Sequence, residues 1–261
     1  MRAMTAGDRL AGYPAMKIAP LIWVVDTRTT SVATCWTVLD CEERRRAEQY
    51  LKDVDRRTFI VTRAALRCTL ASIAGVEPAT FRFGIGAWGK PFIAAPASHA
   101  TLQFSVAHSG SIGLIAVAPL RRIGIDVEQR RRVDDCHPIA KEVLGDELAA
   151  SLERLDENAR DQAFLRCWTV GEAFAKATGL GLAGFAGALP LRARGCDGPG
   201  IRVADAPKAA PGLEWSIVPL DLGADYADYI GSMIVECAPG DAMANPVPTP
   251  WTMKPGVGFL I

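Results

Sequence analysis

Hydrophobic and polar residues follow two different periodicities along this chain of 261 residues. Residues 55–74 and 159–177 carry apolar positions at helical spacing, and a glycine, Gly75 or Gly179, comes soon after each segment. Glycine readily adopts the left-handed conformation that closes a helix, so the sequence predicts two long helices that end at these glycines. Each half of the chain therefore contains one long amphipathic helix.

Shorter segments surround the two long helices. Further helices are predicted over residues 40–51, with Asp40 as the N-cap, and over residues 137–155. Short apolar runs bounded by turn residues predict strands at 18–25, 80–83, 102–106, 112–118, 123–128, 188–194, 212–220 and 228–236. Strands follow the helix in both halves, which favours an α+β fold of two similar subdomains with a site between them.

This pattern divides the chain into four parts. We expect subdomains over residues 17–122 and 123–238, a flexible extension at 1–16, and a tail at 239–261. The tail is rich in proline and glycine, as chain ends that do not form their own core often are.

Composition and charge narrow the class of protein. Lys and Arg number 29, Asp and Glu also number 29, and 49% of the residues are hydrophobic, which excludes a disordered chain and a strongly basic nucleic-acid coat. No apolar run reaches the length of about 18 residues typical of a membrane span. The seven cysteines include no CxxC pair, as is usual for reduced thiols. We therefore expect a cytoplasmic protein that binds neither nucleic acid nor membrane.

The first candidate for chemistry is the segment Gly-Ile-Asp-Val-Glu at residues 124–128. Side chains alternate along a strand, so Asp126 and Glu128 share one face. Two adjacent carboxylates repel each other unless a cation lies between them, and such oxygen ligands suit Mg²⁺. Taken alone, the same pattern is more often the solvent-facing edge of a sheet.

Two further signals are equally ambiguous when each is taken alone. Glu172 and Lys176 share one stripe of the second long helix, where they are either a surface ion pair or a third carboxylate beside a phosphate-binding cation. Lys90 lies in a Gly-Lys-Pro turn, and His108 precedes Ser109 and a glycine. These groups are either ordinary structural residues or the lining of an anion site.

In this order and spacing the motifs together resemble those of the 4′-phosphopantetheinyl transferases of the surfactin-synthetase-activating type. The shared features are the GKP turn, the strand ending in His-Ser, GIDVE, and the helix WTVGEAFAK. The resemblance spans roughly residues 18–238. It implies two subdomains related by a pseudo-two-fold, each a small antiparallel sheet packed with a long helix.

The resemblance also implies an activity and its partners. The expected reaction transfers 4′-phosphopantetheine from coenzyme A to a serine of an apo acyl or peptidyl carrier protein, depends on Mg²⁺ and releases adenosine 3′,5′-bisphosphate. A monomer is expected because the two subdomains already supply both sides of the cleft.

The roles of individual residues follow from the same resemblance. The metal ligands would be Asp126, Glu128 and Glu172. The catalytic residues would be Glu172, which helps to remove the serine proton, together with Lys176 and Asp126. Coenzyme A would be bound by Lys90, His108, Ser109, Lys176 and, in a looser alignment, Arg45, Arg46 and Arg63.

Two positions depart from the family pattern. Gly171 stands where the family has a lysine, and Ala107 stands where it has a serine. The missing lysine leaves open a catalytically weakened homologue that binds coenzyme A or a carrier protein without efficient transfer. A metal-dependent phosphohydrolase that uses the same carboxylates is a third alternative. The run Arg130–Arg132 is either a docking site for an acidic carrier protein or a solvated loop.

Overall fold

A computed structural model describes residues 19–181, 191–193, 201–203, 209–239 and 247–253. The predicted extension at 1–16, much of the predicted tail, and parts of the predicted strand at 188–194 lie outside the described residues.

The described part of the N-terminal half, residues 19–122, contains five strands and three helices. In chain order they are β1 (Leu21–Asp26), α1 (Val32–Val38), α2 (Cys41–Glu48), α3 (Asp53–Ala74), β2 (Arg82–Ile85), β3 (Pro91–Ala95), β4 (Leu102–Ser109) and β5 (Ile112–Pro119).

The C-terminal half repeats this plan with its own strands and helices, and one further short strand follows it. They are β6 (Ile123–Gln129), α4 (Cys136–Leu144), α5 (Asp146–Leu152), α6 (Glu157–Thr178), β7 (Leu191–Ala193), β8 (Ile201–Val203), β9 (Glu214–Leu220), β10 (Tyr229–Cys237) and finally β11 (Thr249–Pro250).

Sheet topology is the same in the two halves. The first strand of each half pairs with the last, and the last pairs with the one before it, which gives the orders β1-β5-β4 and β6-β10-β9. Each half also has a separate two-stranded hairpin, β2-β3 or β7-β8. All of these pairings are antiparallel. The predicted α+β class with two similar subdomains is confirmed.

The long helices α3 and α6 correspond to each other. Both have 22 residues, and both end at a glycine with positive φ, 65° at Gly75 and 73° at Gly179. The amide of each glycine donates to the carbonyl four residues earlier, which satisfies a backbone group that the helix end leaves open. The glycines thus stop the two helices where the sequence predicts.

Several smaller elements differ from the sequence prediction, including the short strands β8 and β11, which were not predicted. Helix α1, capped by the side chain of Ser31, was not predicted because its β-branched residues resemble a strand. The single helix predicted over residues 137–155 is two helices, since Gly145 lies between them with φ 86°. Strand β3, which follows the Gly-Lys-Pro turn and pairs with β2, was not predicted.

Three apolar clusters hold the layers together. The first joins α3 to one face of the N-terminal sheet and the second joins α6 to one face of the C-terminal sheet. The third lies between the two sheets, where Leu114 and Ala116 of β5 meet Ile125 and Val127 of β6. The two sheets therefore face each other across a shared core, with a long helix on the outer side of each.

The C-terminal segment returns to the N-terminal sheet. Strand β11 pairs in parallel with β1, with Trp23 opposite Thr249, and the amide of Trp251 donates to the carbonyl of Val24 at 2.8 Å. Trp251 and Met253 pack against the first apolar cluster. This segment, residues 247–253, covers the edge of β1, which would otherwise expose unpaired backbone groups.

Candidate functional site

Close contact between α6 and β6 creates the candidate site. A Cβ built at Gly124 would overlap the carbonyl oxygen of Ala173 and lie 2.5 Å from the amide of Ala177. Gly124 and Asp126 are two residues apart on one strand, so they share the face that α6 covers. The glycine thus lets the helix lie directly on the strand and brings the side chains of α6 over Asp126.

Asp126 and Lys176 form the central contact of the site. Lys176 Nζ donates to Asp126 Oδ1 at 2.6 Å, and Asp126 is only 6% exposed. The other oxygen, Oδ2, is buried and makes no hydrogen bond with any described residue. Burial raises the pKa of Asp126 to about 7, against the opposing effect of the Lys176 charge. Glu172 and Glu128 raise that pKa further by like-charge repulsion.

Two more carboxylates flank this pair. Burial is the main cause that raises the pKa of Glu172, and the negative charge of Glu128 adds to it. Glu128 Oε2 accepts a hydrogen bond from Ser109 Oγ of β4 at 2.9 Å, and that Ser109 oxygen accepts from the amide of Gln129 at 3.0 Å. The end of β4 in the N-terminal half is thereby fixed against β6 in the C-terminal half.

His108 lies at the boundary between the two halves. The ring is exposed, yet partial desolvation, followed by the positive charge of Lys176, lowers its pKa. Asp55 and Glu128 act on it in the opposite direction. Its electrostatic neighbours therefore come from α3, β6 and α6, although His108 itself belongs to β4.

Lys90 is the second cation at this boundary. Its Nζ donates to the carbonyl of Ile123 at 3.1 Å, and its chain lies beside the end of α6, 3.9 Å from a Cβ built at Gly179. Desolvation and then the nearby charge of Arg122 lower the pKa of Lys90 to about 8, against the opposite effect of Glu236. A bound anion would raise the pKa of this lysine again, because it favours the charged form.

Charge changes sign along the last two turns of α6. Glu172 lies at one end of this stretch, Lys176 one turn further along, and Lys90 beside Gly179, about 10 Å from Glu172 along the axis. The carboxylates of β6 face the first part of the stretch. Such an arrangement fits a ligand that carries phosphates near the lysines and reacts near the carboxylates.

The predicted arginines lie on α2 and α3. Arg45 pairs with Glu42 at the surface, and Arg46 stacks on the ring of Phe59. Arg63 stacks on Phe59 and Phe83 and lies 3.7 Å from Glu43, and burial lowers its pKa. Their assignment to coenzyme A stays a prediction, since these partners belong to the same two helices and the adjoining hairpin.

The run Arg130–Arg132 is largely paired within the chain. Arg130 donates to the carbonyl of Ala227 and to Gln162, and Arg132 pairs with Asp134 and Glu157. Arg131 lies 3.9 Å from Glu128, with 60% of its side chain exposed. Only this last arginine combines high exposure with contact to a predicted site residue.

The donor set of the site fits a hard divalent cation. Asp126 is a buried carboxylate with unused acceptor capacity, as expected of a cation ligand, and three carboxylates repel one another there with Lys176 as the counter-charge. Among the described residues, no three His, Cys, Asp or Glu side chains are close enough to hold a metal ion together. The predicted ligands therefore need side-chain rotation to converge.

The two departures from the family pattern lie in different surroundings. Ala107 is 4% exposed and belongs to the apolar cluster between the sheets, on the opposite face of β4 from His108. Alanine suits that position, because a hydroxyl there would lie among apolar side chains. Gly171 is buried within α6, directly before Glu172.

Sequence reasoning missed a pair of buried hydroxyls next to Asp126. Thr169 Oγ1 and Ser232 Oγ lie 2.9 Å apart, and Ser232 is directly opposite Asp126 in the β6–β10 ladder. The predicted strand at 228–236 already contained Ser232, but the register that places it beside Asp126 follows only from the structure.

Comparisons with known proteins match both halves of the chain. A family model described as the 4′-phosphopantetheinyl transferase superfamily matches residues 122–221. A second, described as 4′-phosphopantetheinyl transferase, N-terminal, matches residues 26–120. None of the helices that the structure describes is long and apolar enough to cross a membrane.

Individual relatives give the same result. The chain is 33% identical over 165 residues to a putative 4′-phosphopantetheinyl transferase of Synechocystis, covering 63% of this chain and 67% of that protein. It is 34% identical over 145 residues to the 4′-phosphopantetheinyl transferase HetI of Nostoc, covering 56% and 61%. A human L-aminoadipate-semialdehyde dehydrogenase-phosphopantetheinyl transferase is 26% identical, covering 54% and 48%. The chain thus spans about two thirds or less of the length of these relatives.

Proposed function

We propose that this chain, which belongs to the 4′-phosphopantetheinyl transferase superfamily, transfers 4′-phosphopantetheine from coenzyme A to a serine of an apo carrier protein. The observation that carries the proposal is the cluster of Asp126, Glu128 and Glu172 beside Lys176, at the boundary of two similar halves. The four motifs shared with the surfactin-synthetase-activating type favour that subtype.

The reaction is a displacement at phosphorus. The bond from the serine oxygen to the β-phosphorus of coenzyme A forms as the bond from that phosphorus to the bridging oxygen breaks. Adenosine 3′,5′-bisphosphate leaves with the electron pair of the broken bond. Such transfers depend on positioning and on charge stabilisation more than on covalent help from the protein.

Each side chain of the site has its own role in this reaction. Glu172 accepts the serine proton, directly or through water, from its place on α6 one turn before Lys176. Lys176 exchanges Asp126 for an oxygen of the pyrophosphate. Lys90 and His108 bind the phosphates of coenzyme A, with Ser109 holding Glu128 in place.

Asp126, Glu128 and Glu172 are the residues that would hold Mg²⁺. When bound there, the ion would supply a Lewis acid and positive charge for the pyrophosphate oxygens. It would also favour the ionised form of the three carboxylates, which the protein alone opposes at Asp126.

A second candidate function rests on Gly171. The family lysine at this position would add a positive charge next to Glu172, and this chain has none there. The alternative is a homologue that binds coenzyme A or a carrier protein without efficient transfer. Lys176 and Lys90 favour transfer, because both are cations positioned along the same stretch of α6.

We further propose that the chain acts as a monomer in a reducing compartment such as the cytoplasm, with coenzyme A and the carrier protein as its partners. None of the six cysteines that the structure describes forms a disulfide, which fits such a compartment. The two halves already supply both sides of the site.

Mass spectrometry of a carrier protein tests the proposed function. Several apo acyl and peptidyl carrier proteins are incubated with the chain, coenzyme A and Mg²⁺. A gain of one phosphopantetheine on at least one of them, lost when its acceptor serine is changed to alanine, supports transfer. Coenzyme A binding without any mass gain on any carrier supports the second candidate.

A further inference from the structure

We propose that Ser232 is a positioning residue for Asp126, whose carboxylate it orients by donating a hydrogen bond to Oδ2. The inference rests on the proposed function only because that function uses Asp126. It concerns a residue of β10 that lies outside the motifs at 90, 108, 124–128 and 168–176.

Register places Ser232 beside Asp126. The two residues are directly opposite in the antiparallel β6–β10 ladder. Opposed residues in such a ladder have Cβ atoms about 4.5–5.5 Å apart and point to the same face. The bond between Ser232 and Thr169 of α6 shows that this is the face that carries the site.

The layer around this pair of hydroxyls is apolar. Ile230 and Ile234, the neighbours of Ser232 on the same face of β10, belong to the cluster under α6, as does Ala173. Ser232 and Thr169 are 4% and 0% exposed. Burying hydroxyls in such a layer is costly unless they are hydrogen-bonded, so packing alone does not explain the pair.

The hydroxyl proton of Ser232 is the one proton of this pair that can form a different hydrogen bond. Thr169 Oγ1 donates its only proton to the carbonyl of Arg166 at 3.1 Å, so in the Ser232–Thr169 bond Ser232 is the donor. Oδ2 of Asp126 is a buried acceptor without a partner. A rotation of Ser232 about χ1 moves its proton away from Thr169 Oγ1, which keeps its bond to Arg166. The proton then points to Asp126 Oδ2, which has no other partner in the described part of the chain.

This rotation becomes favourable when Lys176 leaves Asp126. In the structure Lys176 holds Oδ1, which fixes the carboxylate on one side. A cation at Asp126, or an anionic substrate, displaces Lys176, and the carboxylate then loses its strongest partner. A hydrogen bond from Ser232 to Oδ2 holds the plane of the carboxylate and leaves Oδ1 free to bind a cation, which is how outer partners orient metal ligands.

Two substitutions that remove the same hydrogen bond test the proposal. Ser232→Ala removes the donor that Asp126 needs. Thr169→Val removes the competing acceptor and the bond to the carbonyl of Arg166, and keeps the shape of the side chain. Both variants lose the 2.9 Å bond, so a purely structural role would affect Thr169→Val at least as strongly as Ser232→Ala. Mn²⁺ affinity of the full chain, measured by electron paramagnetic resonance, and kcat and KM for transfer are compared with the melting temperatures.

We expect Ser232→Ala to weaken Mn²⁺ binding about tenfold, within the range found for outer partners of metal ligands, and to lower kcat with little change in the KM for coenzyme A. Thr169→Val should melt lower to a similar extent but keep Mn²⁺ affinity within about twofold. Ser232→Thr retains a hydroxyl and should stay close to the unchanged chain in both readouts.

Three results would overturn the proposal. They are equal loss of Mn²⁺ affinity in Ser232→Ala and Thr169→Val, no loss in Ser232→Ala, and an unchanged chain that binds no Mn²⁺. If Ser232→Ala does not fold, Ser232→Thr decides, because weakened Mn²⁺ binding in a folded Thr variant contradicts a hydroxyl-based role. The metal titration needs no carrier protein. A chain that shows no transfer would therefore contradict the proposed function, and Mn²⁺ binding would still test this inference.

Discussion

Asp126 shows how much of the site depends on a single buried carboxylate. One oxygen binds Lys176 and the other has no partner among the described residues, while burial raises the pKa to about 7. A carboxylate that is costly to bury persists where it performs a function that an apolar residue cannot. On this account that function is to bind a cation once Lys176 has moved.

Replacing Asp126 by asparagine tests this role. Asp126→Asn keeps the shape but removes the negative charge, so Lys176 loses its ion-pair partner and a cation loses a ligand. Loss of an outer partner already costs about 10–100-fold in metal affinity or activity, so we expect transfer to fall by more than about 100-fold. Steady-state rates measure it, with Asp134→Asn at an exposed position as the control. Transfer by Asp126→Asn at the unchanged rate would contradict the assignment.

Lys90 gives the site a pH dependence. Its pKa is lowered to about 8, so the free protein carries this charge at pH 7 and has largely lost it at pH 9. A phosphate binds the charged form and raises the pKa again, so binding takes up a proton. Coenzyme A affinity should therefore fall by up to about tenfold between pH 7 and pH 9.

Calorimetry at pH 7, 8 and 9 measures this effect. Lys90→Gln should bind coenzyme A more weakly at pH 7 and show a flatter profile, because the titrating group is gone. A profile equally steep in Lys90→Gln would mean that another group causes the pH dependence.

At the level of single residues the sequence predicts the carboxylates of the site and misses the residue that lies beside them in the fold. Asp126, Glu128 and Glu172 are found from the strand and helix motifs, since side-chain periodicity places them on the correct faces. Ser232 lies more than one hundred residues from Asp126 along the chain and becomes its neighbour only through strand register. A serine within an apolar strand gives no local signal of such a contact.

Among the secondary structure elements, the contact of α6 with β6 depends on Gly124. Its missing side chain lets the backbone of Ala173 and Ala177 approach the strand. Gly75 provides a comparison, because it has φ 65° but nothing within 4 Å of a built Cβ. The two glycines are therefore needed for different reasons, close packing in one case and backbone conformation in the other.

Alanine substitutions at Gly124 and Gly75 distinguish the need for close packing from the need for a left-handed backbone. Gly124→Ala should push α6 away from the sheet and destabilise the chain by 3 kcal/mol or more, at the upper end of about 1–3 kcal/mol for overpacked cores. Gly75→Ala should cost only about 1–2 kcal/mol, the left-handed backbone penalty. Urea unfolding measures both, and equal losses would show that close packing at Gly124 is not limiting.

The sequence predicts the long elements better than the short ones. Both 22-residue helices are found, because many turns of regular periodicity and a terminal glycine all indicate the same structure. Helix α1 is missed, since its seven residues include several β-branched side chains and its stability comes from packing on α3. The break at Gly145 is missed because a glycine within a helical pattern is often tolerated.

For the whole molecule, the segment 247–253 links the end of the chain to the first sheet. It pairs with β1, and Trp251 and Met253 pack against the N-terminal core. Val247 in the same segment is 76% exposed. A short strand thus protects the edge of β1 from other chains, as edge strands in natural sheets commonly are protected.

Single substitutions test the contribution of this segment. Trp251→Ala should lower the free energy of unfolding by about 2 kcal/mol, the value of burying a large apolar side chain. Val247→Ala, at an exposed position of the same segment, should stay within about 0.5 kcal/mol of the unchanged chain. Thermal unfolding compares them, and equal stability of the two variants would show that the segment does not stabilise the N-terminal half.

The internal similarity of the molecule was predictable only in outline. Each half was expected to have a long helix and following strands, and the matching strand orders β1-β5-β4 and β6-β10-β9 bear out that expectation in more detail. The order itself could not be read from the sequence, since strand pairing depends on contacts between distant segments. The contact between the sheets was not predicted either, although β5 is apolar and buried on both faces.

The central claim is that the carboxylates around Asp126 support transfer of phosphopantetheine to a carrier serine. The most direct measurement is the intact mass of an apo carrier protein incubated with coenzyme A and Mg²⁺, in parallel with the unchanged chain and with Asp126→Asn. The account predicts a gain of one phosphopantetheine with the unchanged chain and none in the same time with the variant. A carrier that gains no mass with either chain, across acyl and peptidyl carriers, or that gains equally with both, would contradict it.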